Sequence, residues 1–545
     1  MTSGSPPVHA ADTEVADAVV VGAGHNGLVA ANLLADAGWS VHVLEGAEAP
    51  GGAVRTEEIT APGFRNDLGS AFYPMGYASP VLRGLDLGAH GLSWRRAPAP
   101  LAHVLPDDRG VLLAHDAEET AAGLDRFAPG DGDAWRALVA EWTRLRDPLL
   151  ETILRPFPPV RGTTSLLRQV GVADLLRLGR RLALPAQRFV TEEFAGEGAR
   201  VLVAGNALHT DLATGTAGSA VFGWLLAMLA QDVGFPVPAG GAGALTDALV
   251  TRLAAGGGRL DCARPVRRVL VEGGRATGVV DAEGGLVRAR RAVLADVAAP
   301  LLYRDLVGLE HLPPRLVADL ARFQWDDAVL KVDWALSGPV PWTAPEARLA
   351  GTVHVGGDTV DLLDFGADLA AGRIPRTPFM LVGQMTLADP SRSPKGTESL
   401  WAYTHLPHSQ TRSGSPRTDA ELARQVDRMT ALLERHAPGF GERIVARAVS
   451  RPSTLERRDA SLVEGAVMGG TASIHQQLFL RPTPGLGRAD TVVDRLFLAG
   501  ASAHPGGAVH GGPGANAARA ALARDGRLGV GYAATIRAGH RLVYG

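Results

Sequence analysis

The sequence predicts an α/β protein in which a parallel sheet carries a nucleotide site and a mixed α+β lobe completes the molecule. Three observations support this prediction. A strand, glycine turn and helix begin the chain, a second glycine-rich turn into a helix lies near its end, and mainly helical sequence lies between. The 545 residues exceed what one hydrophobic core usually holds, since single cores stop growing near ~250–300 residues. We therefore expect at least two lobes.

The first element is an apolar run at residues 18–21, which leads directly into the sequence Gly-Ala-Gly-His-Asn-Gly of residues 22–27. Gly22 allows a sharp turn, Gly24 allows the backbone to approach a pyrophosphate, and Gly27 allows the next helix to pack on the strand. That helix presents unpaired N–H groups to an anion. This layout is typical of a Rossmann-like dinucleotide-binding unit.

Glu45 closes the second apolar run, residues 41–44, eighteen positions after Gly27. A carboxylate at this place accepts hydrogen bonds from a ribose and favours a free 2′-hydroxyl over a 2′-phosphate. The Ala- and Leu-rich helix predicted at residues 28–37 and the stop at Gly38 also lie where the unit requires them. We therefore expect an adenine dinucleotide as the ligand.

Composition narrows the class of protein. Apolar residues make up 46% of the chain, charged residues 20%, and the net charge is −3, so nucleic acid is not an expected partner. The single cysteine, Cys262, excludes internal disulfides and a C-x-x-C redox pair. The sixteen histidines show no metal-ligand spacing, and we predict no metal.

The chain shows no sign of a membrane-spanning or secretory segment. Residues 1–16 lack a basic start followed by an apolar core and are predicted to form a disordered tail. The longest apolar run, residues 220–230, is shorter than the ~20 residues that span a bilayer. We expect a cytoplasmic protein. The arginine-rich residues 161–188 leave two alternatives open, a solvated helix face or peripheral contact with an anionic membrane.

The remaining pattern predicts a nucleotide domain assembled from separate segments. Residues 79–234 are mostly helical, whereas strands are predicted at residues 264–271, 276–281 and 289–295, and a final strand at residues 495–500 leads into another glycine-rich turn. We assign residues 17–78, 235–300 and 445–545 to the dinucleotide-binding domain, and residues 79–234 and 301–444 to a mixed α+β substrate-binding domain.

Four further motifs give the chain a recognisable family resemblance. The motifs are a glycine pair and an arginine at residues 51–55, Asp-Leu-Gly-Ser-Ala at residues 67–71, Pro-Ala-Gly-Gly at residues 238–241, and Leu-Ala-Gly-Ala-Ser-Ala-His-Pro-Gly-Gly at residues 498–507. Together they resemble the phytoene desaturases and phytoene dehydrogenase-related FAD-dependent oxidoreductases, within the flavin amine oxidase superfamily. The likeness covers both ends and the middle of the chain.

This resemblance implies a Rossmann-like domain of the glutathione-reductase type that binds FAD, with the flavin ring at the interface of the lobes. Arg55 is expected to give a bidentate charge to the pyrophosphate, and the helix that begins near Gly514 to point its positive end at the flavin. The residues implied to bind FAD are Gly22, Gly24, Gly27, Glu45, Gly51, Gly52, Arg55, Gly69, Val266, Gly500, Gly507, Gly514 and Asn516.

Two residues are catalytic candidates. Lys331 resembles the lysine that amine oxidases place on a strand beside the flavin, where a desolvated ammonium assists oxygen or proton chemistry. The alternative is a solvent-facing strand lysine. His504 lies in the turn nearest the predicted flavin and suits an acid, a base or a hydrogen-bond donor, or simply fixes the turn. Four other polar residues near the expected cavity are expected to be structural: Tyr73, His209, Asp211 and His510.

The resulting prediction is an FAD-dependent oxidoreductase that transfers hydride from a small apolar or mixed organic substrate to the flavin and forms a C=C bond. No second glycine motif follows a strand, so oxygen or a quinone is the expected electron acceptor. Three alternatives remain: a flavin amine oxidase, a carotenoid ketolase-like enzyme, and a flavin-binding interaction protein without turnover.

Overall fold

The computed structural model describes residues 14–409 and 417–545. Within them, two seven-stranded sheets organise the chain and helices cover both. The strands of the described residues are β1 Glu14–Val21, β2 Val41–Leu44, β3 Thr56–Glu57, β4 Asn66–Asp67, β5 Trp94–Arg95, β6 Ala99–Val104, β7 Gly110–Leu113, β8 Val237–Pro238, β9 Arg259–Asp261, β10 Val266–Glu272, β11 Arg275–Asp281, β12 Leu286–Ala295, β13 Ala328–Leu336, β14 Ala350–Val355, β15 Met380–Gln384, β16 Glu398–Leu406, β17 Ile444–Ser450 and β18 Leu496–Leu498.

The α-helices lie mainly between residues 74 and 255 and at the end of the chain. They are α1 His25–Asp36, α2 Pro74–Ala78, α3 Pro80–Arg83, α4 Ala117–Asp125, α5 Asp131–Leu154, α6 Val160–Ala183, α7 Ala186–Glu193, α8 Glu197–Ala207, α9 Ser219–Val233, α10 Gly243–Ala255, α11 Ala299–Leu301, α12 Pro314–Leu320, α13 Thr359–Ala370, α14 Met385–Ala388, α15 Asp419–His436, α16 Pro452–Arg458, α17 Gly512–Asp525 and α18 Gly529–Tyr544.

The first sheet has the strand order β10-β11-β12-β1-β2-β9, and β18 also pairs with β12. Strand β1 runs parallel to β2 and β12, and β12 runs parallel to β18. Alternate residues of β1 belong to two different hydrophobic cores. Ala18 and Val20 pack with α1, α10 and α17, whereas Val19 and Val21 pack on the opposite face of the sheet. Burial on both faces explains why the strand is continuously apolar.

The second sheet has the order β17-β13-β16-β15-β14-β6-β7 and is antiparallel except for the pair β14 and β6. Its two faces differ, because successive side chains of a strand point to opposite sides. On one face Leu330, Val332 and Trp334 pack against the apolar side of α15. The other face carries Lys331 and Asp333 and turns away from α15.

The predicted domain limits differ in detail from the sheet memberships. Strand β1 begins at Glu14, inside the segment predicted as a tail, and residues 1–13 lie outside the described residues. Strand β17 pairs with β13 of the second sheet, although the nucleotide domain was predicted to resume at residue 445. The division into domains stays a prediction.

The apolar run at residues 220–230 lies in α9, where Trp224, Ala227 and Met228 belong to the core of the helical lobe. Within residues 14–409 and 417–545, no helix combines the length and apolar character that crossing a membrane requires.

Candidate active site

One edge of the first sheet collects the carboxyl ends of four parallel strands. The residues that follow these strands include Gly22 after β1, Glu45 after β2, Asp296 after β12 and Gly500 after β18. The backbone N–H of Asp296 donates to the carbonyl of Val21 over 2.8 Å, which holds two of the strand ends together. Ligands of open α/β sheets bind in the crevice outside such strand ends.

The glycine turn after β1 has no room for side chains. Gly22 has a φ of +90°, and a Cβ there would lie 2.7 Å from the carbonyl oxygen of Asp296. A Cβ at Gly24 would lie 2.6 Å from Asp296 Oδ2, and one at Gly27 would overlap the carbonyl oxygen of Gly22. Helix α1 begins at His25 with no side-chain cap and no acidic residue in its first turn. Its N-terminal N–H groups therefore suit an anion.

Glu45 lies against this turn, as the sequence predicts. Its Oε2 accepts the N–H of Ala23 over 2.6 Å, and its Oε1 accepts the N–H of Ala47 over 2.8 Å. The N–H of Arg264 donates to the carbonyl of Glu45 over 2.8 Å, so the chain leading to Val266 lies beside this residue. The structure thus brings Glu45 and Val266 into one region, and their contacts with adenosine stay predictions.

The second glycine pair packs on the first glycine turn. The N–H of Gly51 donates to the carbonyl of Ala23 over 2.8 Å, and Gly51 pairs with Gly24 as an isolated parallel bridge. A Cβ at Gly52 would lie 2.9 Å from the carboxylate of Asp459. These contacts place both glycines at the predicted phosphate site.

Arg55 and Gly69 are held by neighbours of their own segment. Arg55 Nη2 donates to Glu57 Oε1 over 2.7 Å, and the charge of Arg55 also opposes the rise that burial causes in the pKa of Asp459, whose carboxylate lies beside Gly52. A Cβ at Gly69 would lie 2.5 Å from the carbonyl oxygen of Ala53, which explains why only glycine fits here. The contact of Arg55 with a pyrophosphate stays a prediction.

The C-terminal motif brings a second helix N-terminus to the same edge. Helix α17 has no side-chain cap and no acidic residue in its first turn. A Cβ at Gly514 would overlap the carbonyl oxygen of Asn26 in α1, and Gly507 lies against the backbone of Met468. Asn516 Nδ2 donates to the carbonyl of His504 over 3.4 Å. The two positive helix ends therefore adjoin.

Several structural features of this edge, which do not depend on the family resemblance, fit the dinucleotide of FAD. Two uncapped helix N-termini lie next to each other, and the glycines let the backbone approach the ligand closely. Between the helices, His25 Nε2 and Asn26 Oδ1 are buried without a hydrogen-bond partner in the part of the chain that is described. Buried polar atoms of this kind need a partner, and a bound polar ligand supplies it.

His504 is buried in the turn after β18. Its Nε2 donates to the carbonyl of Arg155 over 3.1 Å, and its Nδ1 has no partner among the described residues. Burial lowers the pKa of this imidazole to about 4. His504 is therefore neutral at pH 7 and offers an unpaired nitrogen as an acceptor, but it carries no extra proton to donate.

Both ring nitrogens of His510 form hydrogen bonds within their own segment. Its Nε2 donates to the carbonyl of Gly507 over 3.0 Å, and its Nδ1 accepts the N–H of Gly512 over 3.0 Å. Both nitrogens are thus used to shape the chain that enters α17.

Lys331 is buried rather than solvent-facing. Only 3% of the residue is exposed, and its ammonium is ion-paired with the carboxylate of Asp333, two residues further along β13. Burial raises the pKa of Asp333, and the charge of Lys331 opposes this shift. The pair belongs to the face of the second sheet that turns away from α15.

A row of side chains crosses five strands on this face. Each residue lies directly opposite the next in the sheet register, in the order Lys331 of β13, Tyr403 of β16, Leu381 of β15, His354 of β14 and His103 of β6. Tyr403 packs against a small apolar cluster of Val329, Leu455 and Leu462, and Ala53, which directly follows the second glycine pair, packs against the same cluster. This cluster therefore links the Lys331 end of the row to the segment of the second glycine pair.

Aromatic rings from both lobes surround this row. The ring of Phe72 lies 6.0 Å from that of Trp401 and 6.3 Å from that of Phe235, and His209 lies 6.1 Å from Phe235. His209 Nε2 and His354 Nε2 are 2.8 Å apart, so one ring donates and the other accepts. Burial lowers the pKa of both histidines. Aromatic rings and neutral histidines therefore surround the row, whereas the charges of Asp67 and Arg458 act near its Lys331 end.

Asp67 and Asp211, by contrast, hold loops in place. Asp67 Oδ1 accepts from the hydroxyl of Thr56 over 2.7 Å and from the N–H of Ala242 over 2.9 Å, and Asp67 Oδ2 is 2.8 Å from Arg392. Asp211 Oδ1 accepts the N–H of Ala472 over 2.8 Å. Tyr73 is likewise satisfied within its own segment by Ser70.

One group of potential metal ligands lies within the described residues, Glu14, His42 and Asp261. Arg259 and Arg264 form ion pairs with both carboxylates, at N···O distances of 2.5 to 2.9 Å. Because two arginines already compensate the acids, this group is an ion-pair network across β1, β2 and β9. The absence of a metal stays a prediction.

Three residues of the site were not predicted from the sequence. Asp296 directly follows a strand that the sequence does indicate, so its place at the sheet edge was available as a signal. Asp333 follows Lys331 by two positions on one strand, so strand alternation was a signal for it as well. Tyr403 gave none, since only the register of the second sheet brings it beside Lys331.

Comparisons with known proteins agree with this geometry. A family profile described as an NAD(P)-binding Rossmann-like domain matches residues 20–86. The chain is 29% identical to "Pyridine nucleotide-disulfide oxidoreductase domain-containing protein 2" of Mus musculus, over 92% of each chain. It is 26% identical to a neurosporene-forming phytoene desaturase of Cereibacter sphaeroides, over 93% of this chain and 94% of that one.

Among solved structures, putrescine oxidase with bound putrescine superimposes with a TM-score of 0.58 at 18% identity, over 94% of this chain and 99% of that one. This similarity supports the fold alone. Together with the dinucleotide edge, the comparisons confirm the predicted α/β fold with a Rossmann-like domain, the resemblance to phytoene desaturases, FAD as the cofactor, and an FAD-dependent oxidoreductase as the class of this protein.

Proposed function

We propose that the protein oxidises a small, largely apolar organic substrate by removing a hydride and a proton from adjacent carbons, which leaves a C=C bond. Bound FAD would supply the hydride acceptor. The observation that carries this proposal is the row from Lys331 to His103, which is linked to the segment of the second glycine pair by the cluster of Val329, Leu455 and Leu462 and continues between aromatic side chains. A substrate lying along this row would place one end at the cofactor edge.

The protein's share of this reaction is mainly positioning. Phe72, Phe235 and Trp401 would enclose an apolar chain and exclude water, which fixes a C–H bond in place at little entropic cost during the reaction. The neutral pair His209 and His354 offers hydrogen bonds without charge. We therefore favour a substrate that is mostly hydrocarbon and carries one polar group.

We assign acceptance of the proton to His504. Its Nε2–H donates to a backbone carbonyl, which leaves the Nδ1 lone pair without a partner among the described residues. Lys331 cannot accept a proton while it is charged and paired with Asp333. We assign it the electrostatic role of a fixed cation beside the flavin, and we keep the predicted FAD-binding residues as part of this proposal.

The purified protein is expected to show the visible absorbance bands of a flavin and to release FAD on denaturation. Anaerobic addition of the correct substrate is expected to bleach the flavin bands, because the hydride moves to the ring. If the protein contains FAD but no substrate in a wide panel reduces it, the result would favour the alternative of a flavin-binding interaction protein without turnover. A colourless protein that also fails to bind added FAD would overturn the enzyme reading.

Amine oxidation is a second candidate, favoured by the burial of Lys331 on the sheet face and by the fold shared with putrescine oxidase. If oxygen is the acceptor, Lys331→Met is expected to slow reoxidation of the reduced flavin by oxygen at least tenfold, since the cation that stabilises negative charge on oxygen is lost. Reduction of the flavin by substrate should change less.

The other lysine of the chain provides the control. Lys395 is exposed and far from β13 in the sequence, so Lys395→Met should leave both half-reactions unchanged. Stopped-flow absorbance resolves the two steps. Equal oxygen rates in wild type and Lys331→Met would contradict the oxidase candidate and favour a quinone as the acceptor.

We also propose that the protein is cytoplasmic and that it contacts a membrane peripherally. Helix α6 exposes Val160, Val172 and Leu176, which are 65% to 70% exposed, and arginines share the helix. Exposed apolar side chains beside cations suit an anionic membrane surface. Flotation with anionic vesicles tests this proposal, and a protein that stays with the solution phase would contradict it.

A further inference from the structure

Asp296 lies at the centre of the cofactor edge, in the crevice between the β1 and β18 turns. Its Oδ2 accepts the N–H of Gly27 over 2.7 Å. Its Oδ1 would lie 3.2 Å from a Cβ placed on Gly500. Glycines of both turns therefore approach one carboxyl group, whose side chain is enclosed by the residues implied to bind FAD.

The charges around Asp296 are acidic. Glu45, at the end of β2, and Asp459, after α16, both act on this carboxyl group, and both disfavour its ionisation. The positive charge of Arg55 instead acts to lower the pKa of Asp459. His25, at the start of α1, is held neutral at pH 7, because burial lowers its pKa to about 4. Among the described residues, the charged groups that shift the pKa of Asp296 are thus both acidic.

Two opposing effects decide the protonation state. The N–H of Gly27 and the start of α1 favour the ionised form, whereas complete burial and the two neighbouring acids oppose it. Burial dominates, and the pKa of Asp296 rises to about 8. At neutral pH the group is a carboxylic acid with one O–H to donate and one oxygen that accepts.

We propose that Asp296 is an FAD-binding residue that acts as a neutral acid, accepting the N–H of Gly27 and donating its own proton to a phosphate oxygen of the dinucleotide. This inference rests on FAD occupying the sheet edge. An ionised carboxylate would fail twice, because it has no proton to donate and because it repels the negatively charged phosphates. The protein is thereby built to hold FAD below about pH 8 and to release it as the pH rises further.

The experiment follows FAD release from the holoprotein between about pH 6 and pH 9.5, by ultrafiltration and flavin fluorescence. The dissociation constant of the wild type is expected to be constant below about pH 7.5 and to rise about tenfold per pH unit above pH 8, as one lost proton requires. Asp296→Asn keeps a donor and an acceptor but cannot ionise, so it should hold FAD with the same affinity within threefold at every pH.

Asp36→Asn is the matched control, because Asp36 is the last residue of α1 and pairs with Arg252 at the surface. It should follow the wild-type pH profile. A wild type that holds FAD equally well at all pH values, or an Asp296→Asn profile that rises in the same way, would overturn the inference. Loss of FAD from Asp296→Asn at pH 7, with an unfolding temperature near that of wild type, would also overturn it.

Failure of the inference about Asp296 can be distinguished from failure of the proposed function. A preparation without FAD at any pH contradicts the proposed enzyme itself, whereas tightly bound FAD with a flat pH profile contradicts only the role of Asp296. Asp296→Ala, which removes both the donor and the acceptor, should weaken FAD binding more than tenfold even at pH 6.

Discussion

Replacing Gly514 with alanine is expected to destabilise the protein by more than ~3 kcal/mol and to abolish FAD binding, because overpacking into a rigid backbone cannot relax. The added Cβ would overlap the carbonyl oxygen of Asn26 and lie 2.7 Å from its carbonyl carbon. Helices α1 and α17 would have to separate where both N-termini face the cofactor. Thermal unfolding and the FAD content of the purified variant measure the two effects.

Gly539 provides a matched control in another helix. It lies within α18, and a Cβ there would meet no atom within 4 Å. Gly539→Ala is therefore expected to stabilise the protein by about 0.5–1 kcal/mol, the usual gain for glycine to alanine inside a helix. If Gly514→Ala behaved like this control and retained FAD, the close approach of the two helices at the cofactor edge would be contradicted.

Arg392→Met is expected to destabilise the protein by about 3–5 kcal/mol, the cost of leaving a buried charge without its partner. The Arg392 and Asp67 side chains are both fully buried, and their charged atoms are 2.8 Å apart. Arg392 also acts on Glu398, whose pKa burial raises to about 7. Both carboxyl groups would lose their nearby cation, while methionine keeps most of the apolar volume.

The loss of folding stability caused by Arg392→Met should grow as the pH rises. A buried carboxyl with a raised pKa keeps its proton in the folded state, so its contribution to stability falls as the pH rises from about 4 toward that pKa. Without Arg392 the pKa of Glu398 rises further, and Arg392→Met should be more destabilising at pH 8 than at pH 5. Chemical denaturation at the two pH values measures this difference.

Two variants test the origin of the effect. Arg373 forms an exposed ion pair with Asp368, so Arg373→Met should cost at most about 1 kcal/mol. Adding Asp67→Asn to Arg392→Met removes the buried negative charge and should recover part of the stability. A double variant less stable than the single one would contradict the charge-pair explanation.

The beginning of the chain was the easiest part to predict. A strand, a glycine turn and a helix are specified by residues close together in the sequence, and β1, α1 and β2 lie where the pattern places them. The final motif was equally direct, since Gly514 and the turn before it are also local signals. These features were sufficient to infer the dinucleotide edge, whereas FAD was inferred from the family that the motifs resemble.

Other predictions were limited by the range of the interactions involved. Lys331 was a candidate from its local motif, but a strand motif does not say which face of a sheet is buried, so a solvent-facing lysine remained open. The boundary near residue 445 was uncertain for the same reason. Whether β17 joins the first or the second sheet depends on its partner β13, more than a hundred residues earlier in the chain.

The sequence by itself determined the nucleotide unit, because turn chemistry and short-range periodicity carry that information, and the resemblance of its further motifs to a known family implied FAD and the class of enzyme. Only the tertiary structure decided that Lys331 is paired with Asp333, that a row runs from Lys331 to His103, and that Asp296 is enclosed by glycines of two turns. The physical reason is that strand register and burial are set by contacts between distant segments, and these contacts fix which side chains meet and how strongly their charges are desolvated.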